Sequence, residues 1–139
     1  YFSSPLLQPE SVRAELLTGL EQGGGTLLPE VSVFTRMSEF LGSGELEAEG
    51  VKILLDISGD KTLLDCSMSR RRRIFLIGPE GGFLPDEVSQ FEERGFERVR
   101  ISQHILRVES AFDFALAQSE LISLGSSGAV TEGGKLERP

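Results

Sequence analysis

The chain has 139 residues and a formal charge of −8 at pH 7, with one cysteine and one histidine. That length suits one domain around one core, and Cys66 with His104 can build neither an internal disulfide nor a metal site. The acidity disfavours a strong nucleic-acid grip by the chain as a whole; without a membrane-length apolar run of roughly 20 residues or a basic leader, a cytoplasmic protein is expected.

The spacing of Val12, Leu16 and Leu20 predicts an amphipathic helix from Pro9 to Leu20, stopped by the glycines at 23–25. The alternating LLPEVSVF that follows predicts a short strand, and TRMSEFL one or two helical turns begun by Thr35. The segment from Gly42 to Gly50 is an acidic, glycine-rich loop.

Three later segments share a form: Val51–Asp60, Arg73–Gly82 and Glu97–Ser102. The first two are short apolar runs ending in glycine loops, the pattern of parallel strands covered on both faces. Between the second and third, LPDEVSQFEERG reads as a helix with acids in its first turn and Gly95 as its stop. A βαβ unit and an α/β fold follow. Residues 108–124 read as a last helix with Ala111, Phe114, Ala115 and Leu121/Ile122 on one apolar side, and residues 126–139 as a flexible tail.

Ligands of open α/β sheets bind beyond the carboxyl ends of the strands, where this chain carries DISGD, GPEGGF and SQHILRVE. Gly78, Gly81 and Gly82 would let backbone approach a flat ligand, Pro79 would stiffen the turn, and Glu80 would project into the site. The spacing matches neither a P-loop nor a dinucleotide fingerprint. Arg107 pairs with Glu109 or Glu80, or serves a ligand. The block Arg70, Arg71, Arg72, Arg73 is a solvated linker or a phosphate contact.

The ordered set IGPEGGFLPDEV, GFERVRI and ILRVESA resembles the signature of the RsmE family, the 16S ribosomal RNA uridine-N3 methyltransferases of the SPOUT superfamily. The resemblance runs from about Val51 to Leu124. It implies a SPOUT-type parallel sheet with helices on both faces and a C-terminal deep trefoil knot spanning about 51–125, within a methyltransferase domain of residues 1–125. It also implies S-adenosyl-L-methionine as cofactor, ribosomal RNA as partner, and a homodimer. The family's N-terminal RNA-binding β-barrel has no counterpart in this sequence.

Carried over by position, the cofactor contacts are Leu55, Gly59, Ile77, Gly78, Pro79, Gly81, Gly82, Ile101, Ser102, Ile105 and Leu106, with Leu55 to Gly59 as the third wall. Arg107, Glu109 and Glu80 are the catalytic candidates, and Arg70 to Arg73 the RNA contacts. Methyl transfer from a sulfonium is an in-line displacement that needs positioning rather than a metal. A uracil N3–H must lose its proton, to Glu80 or Glu109, while Arg107 stabilises the charge. Ser102 stands where the family usually has glycine, and Leu84 where it has a small hydroxyl cap. The alternative reading is a dimeric SPOUT-fold binding protein without catalysis.

Overall fold

The computed structural model describes residues 4–66 and 72–128. The chain divides into two compact units, Tyr1–Glu47 and Ala48–Pro139, where composition alone had suggested a single core.

In the first unit, helix α1 spans Pro9–Gly23, opened by proline and closed at Gly24 in the left-handed region, with the Gly25 N–H returned to the Leu20 carbonyl. The expected stripe of Val12, Leu16 and Leu20 forms its less exposed side. The strand expected over 27–34 does not form. Leu27, Val31 and Val33 are exposed, and among the described residues no neighbouring strand satisfies their backbone, which alternation by itself cannot supply. Helix α2, Met37–Gly42, starts one residue later than expected: Arg36 is its N-cap, and Thr35 instead donates its N–H and hydroxyl to the Glu39 carboxylate.

The second unit is a three-stranded parallel sheet in the order β2-β1-β3: β1 is Val51–Leu55, β2 Arg73–Ile77 and β3 Glu97–Val99. The third strand is shorter than the expected Glu97–Ser102. Strand β1 is central, so its neighbouring residues Ile53 and Leu54, which point to opposite faces, are both fully buried. Full burial on both faces is why β1 reads as a nearly unbroken apolar run. Entry into β1 depends on Gly50, where a Cβ would collide with the Arg72 carbonyl oxygen.

Helix α3, Pro85–Glu93, crosses from β2 to β3 and ends before Gly95, which has φ +84°. Without a hydroxyl cap at Leu84, the Glu87 carboxylate accepts the Leu84 N–H at 2.8 Å. Helix α4 spans Val108–Gly128 and so runs through the first three positions of the expected tail; residues 129–139 lie outside the described residues. It packs against β2 and the 3-10 turn Leu63–Asp65, adding Ile122 to the cluster of Ile53, Leu63 and Val99. On the opposite face of β1, the Lys52 ammonium donates to the Arg94 carbonyl just past α3.

Candidate functional site

The carboxyl ends of the three strands open into one cleft of about 360 Å3, within the size range of small-molecule sites. Its walls are the residues leaving β1 (Leu55, Asp56, Ile57), those leaving β2 (Ile77 to Phe83), and those between β3 and α4 (Ile101, Ser102, His104, Ile105, Leu106). Parallel strands place their carboxyl ends on one edge, and the loops that leave them converge there.

The glycine loop is held from inside. The Gly82 N–H donates to the Pro79 carbonyl at 2.8 Å, and Gly82 has φ +74°, which closes the turn in a conformation that side chains resist. A Cβ at Gly78 would come 3.2 Å from the Phe83 ring, so the loop folds back over its own aromatic. Phe83 in turn meets Phe91 of α3 edge to face at 5.2 Å, and Phe91 meets Phe96 at 5.9 Å. This aromatic row ties the loop to α3 and the sheet. Nothing lies within 4 Å of where a Cβ would stand at Gly81 or Gly82, so their open side is backbone free to meet a ligand.

The wall between β3 and α4 is fixed at two points. The Gln118 side-chain amide donates to the Ile101 carbonyl at 2.8 Å, and the Ser102 hydroxyl accepts the His104 N–H at 3.0 Å. Positive φ among the described residues is confined to four glycines, so Ser102 carries its side chain without left-handed strain. Ala111, buried on the first turns of α4, closes the floor.

Every residue expected around the cofactor lines this cleft except Gly59. Gly59 lies in a separate polar groove, where a Cβ would stand 3.0 Å from the Arg98 and Val99 backbone; its role is close packing against β3. The third wall, expected as Leu55 to Gly59, is therefore shortened to Leu55 to Ile57. Glu80 lines the cleft, whereas Arg107 and Glu109 do not, being joined to each other at 3.0 Å in an exposed ion pair. Phe83 and Ala111 were not anticipated. The first could have been suspected from its place directly after the glycine pair, the second from being the smallest residue at the start of an apolar helix.

Arg73 is placed differently from the expected RNA contact. Its guanidinium turns inward and donates to the Ser119 carbonyl at 3.2 Å and to the hydroxyls of Ser119 and Ser123, binding β2 to α4. Arg72 is exposed, and Arg70 and Arg71 lie outside the described residues. Among the described residues no group of three or more His, Cys, Asp or Glu is arranged to hold a metal, and no helix is long and apolar enough to cross a membrane. The Cys66 thiol, just past the 3-10 turn, is pushed up by burial, and Asp65 on that turn is held down by hydrogen bonds from Thr62; neither lines the cleft.

Comparison with known proteins agrees with this geometry. The chain is 29% identical over 126 residues to ribosomal RNA small subunit methyltransferase E 1 of Borreliella burgdorferi, covering 89% of this chain and 52% of that protein. It is 30% identical to the methyltransferase E of Treponema pallidum over 80% of this chain and 43% of the relative. The chain thus spans about half the length of these relatives. The crystal structure of a ribosomal RNA small subunit methyltransferase E from Neisseria gonorrhoeae bound to S-adenosyl methionine matches with a TM-score of 0.66 and 28% identity, covering 77% of this chain and 45% of that one. A family model described as RNA methyltransferase domain matches residues 3–120, most of the chain. The chain belongs to the family of RNA methyltransferase domains.

Proposed function

We propose that this chain is the catalytic part of an S-adenosylmethionine-dependent ribosomal RNA methyltransferase, acting in the cytoplasm on N3 of a uridine in 16S ribosomal RNA. The observation that carries the reading is the cleft itself: apolar strand ends beside the exposed backbone of Gly81 and Gly82, at the edge of a parallel sheet. Apolar walls with a few convergent backbone groups suit a flat adenine, and the volume suits a nucleoside with an amino-acid arm.

When bound, S-adenosylmethionine supplies a methyl group activated by its sulfonium. The chain's own residues would then position the base and handle its proton. Glu80, exposed on the cleft wall, would accept the uracil N3 proton, and Glu109 is the lesser candidate because it is already engaged with Arg107. Arg107, between the cleft-lining Leu106 and Val108, would leave Glu109 to balance the negative charge on the deprotonated base. Arg70 to Arg72 are the proposed contacts for RNA phosphates. We further propose the SPOUT arrangement for residues 51–125, with the C-terminal segment knotted through a preceding loop, and a homodimer.

Isothermal titration and methyl transfer test this together. Saturable S-adenosylmethionine binding near one site per chain is expected, with methyl transfer to small-subunit RNA or assembled subunits read as a reverse-transcription stop at the modified uridine. Arg107→Ala should lower transfer about 100-fold or more while changing cofactor affinity less than about twofold. Absence of binding at millimolar ligand would overturn the cofactor reading. Binding without transfer would leave a binding protein.

A further inference from the structure

The cleft's charge is one-sided. The ionisable side chains that line it are Asp56, Glu80 and His104, and no lysine or arginine lines it among the described residues. With histidine counted neutral at pH 7, the wall carries two negative charges. Arg100 and Arg107 directly flank lining residues in the chain, yet neither lines the cleft, and Arg107 is ion-paired with Glu109.

Asp56 is fixed for this role by its position. It directly follows the last residue of β1, and its N–H is bonded to the Val99 carbonyl of β3 at 3.1 Å. Its Oδ1 accepts both the N–H and the hydroxyl of Ser58, each at 2.8 Å, which orients the carboxylate and leaves Oδ2 without a hydrogen bond among the described residues. Glu80 stands on the facing loop and forms no ion pair among the described residues. The two carboxylates thus belong to different walls of one cleft.

Before transfer the methyl donor carries a sulfonium, an ammonium and a carboxylate, and so one net positive charge. After transfer the sulfonium has become a neutral thioether, and the net charge is zero. Everything else in the two molecules is nearly the same, so a difference in their affinity isolates the interaction with the sulfonium. We propose that Asp56 and Glu80 make the cleft discriminate by charge, holding the sulfonium donor more tightly than the neutral thioether product and so favouring exchange of product for donor. This rests on the cofactor reading above and goes beyond it, because backbone contacts and apolar walls would bind both forms alike.

The test is paired isothermal titration of S-adenosylmethionine and S-adenosylhomocysteine into the chain and into Asp56→Asn and Glu80→Gln. Asparagine keeps an oxygen for Ser58, so the turn is retained while the charge is removed. The parent should bind the sulfonium form more tightly. Each substitution should shrink that preference about threefold to tenfold, as expected for one carboxylate acting on a unit charge across a partly solvated gap, with product affinity changed less than about twofold. The preference should also decline as salt is raised from about 0.05 to 0.5 M, since Glu80 is exposed and Asp56 only half-buried. Equal or tighter binding of the product by the parent, or a preference untouched by both substitutions, overturns the charge discrimination and leaves the cofactor site standing. Failure of both ligands to bind overturns the site and this inference with it.

Discussion

Gly82 concentrates the cleft's conformational demand in one residue. Its φ of +74° costs glycine little but costs an L side chain about 1–2 kcal/mol. Gly81, its neighbour, has equally open space where a methyl group would stand but no positive φ, so the pair separates strain from crowding. Gly82→Ala should therefore destabilise the chain by about 1–2 kcal/mol in urea denaturation, whereas Gly81→Ala should be neutral or stabilising by up to about 1 kcal/mol through the unfolded state. Equal effects of the two substitutions would show that the turn is not held in the left-handed region in solution. The same reasoning disposes of Ser102: it occupies a position where the resemblance led us to expect glycine, yet it has no positive φ and its hydroxyl bonds the His104 N–H. A side chain there is accommodated because the backbone does not ask for glycine.

At the scale of elements, α4 is positioned by Arg73 as much as by its apolar stripe. The guanidinium reaches from β2 to Ser119, which is only 4% exposed, and to Ser123 one turn on. Arg73→Met keeps the aliphatic stem and removes these charged hydrogen bonds, and should cost about 1.5–3 kcal/mol, read as a lower urea midpoint with an unchanged m-value. A shift under about 0.5 kcal/mol would mean that the bonds are exchanged for water at no net loss. The sequence marks Arg73 as the first residue of a strand segment, but a run of like charges hides that its side chain turns inward. Strands β1 and β2 and helix α3 were legible because strands covered on both faces give continuous apolar runs and because proline, acids and glycine mark helix ends locally. The strand expected at 27–34 was misread because a strand exists only with a partner, and pairing is not a local property. Gly59 was misplaced for a related reason: a glycine near strand ends can open a cleft or admit a neighbouring backbone, and only the fold decides. The glycine loop was expected at the carboxyl edge of the sheet from its place after an apolar run, and there it lines the cleft.

At the scale of the molecule, α4 is apolar nearly all round. From Val108 to Gly125 its charged residues are Glu109, Asp113 and Glu120, which helical spacing gathers along one stripe. One side of the rest is buried through Ala111, Ala115 and Ser119, but Phe114 and Leu121, seven residues apart on another side, are 45% and 67% exposed. A helix of this composition normally has its surroundings covered, and an exposed apolar face of this kind marks an interaction surface. A second copy of the chain is the proposed cover, the two α4 faces burying each other about a twofold axis as in an isologous interface. Leu121→Glu tests this without threatening the core, because Leu121 is already largely solvent-facing in the single chain. Sedimentation or light scattering should find a dimer for the parent and a monomer for the variant, with the helical circular dichroism of the two alike. A variant that remains dimeric would place the interface elsewhere, and a parent that is monomeric at tens of micromolar would remove the second copy as the cover for α4.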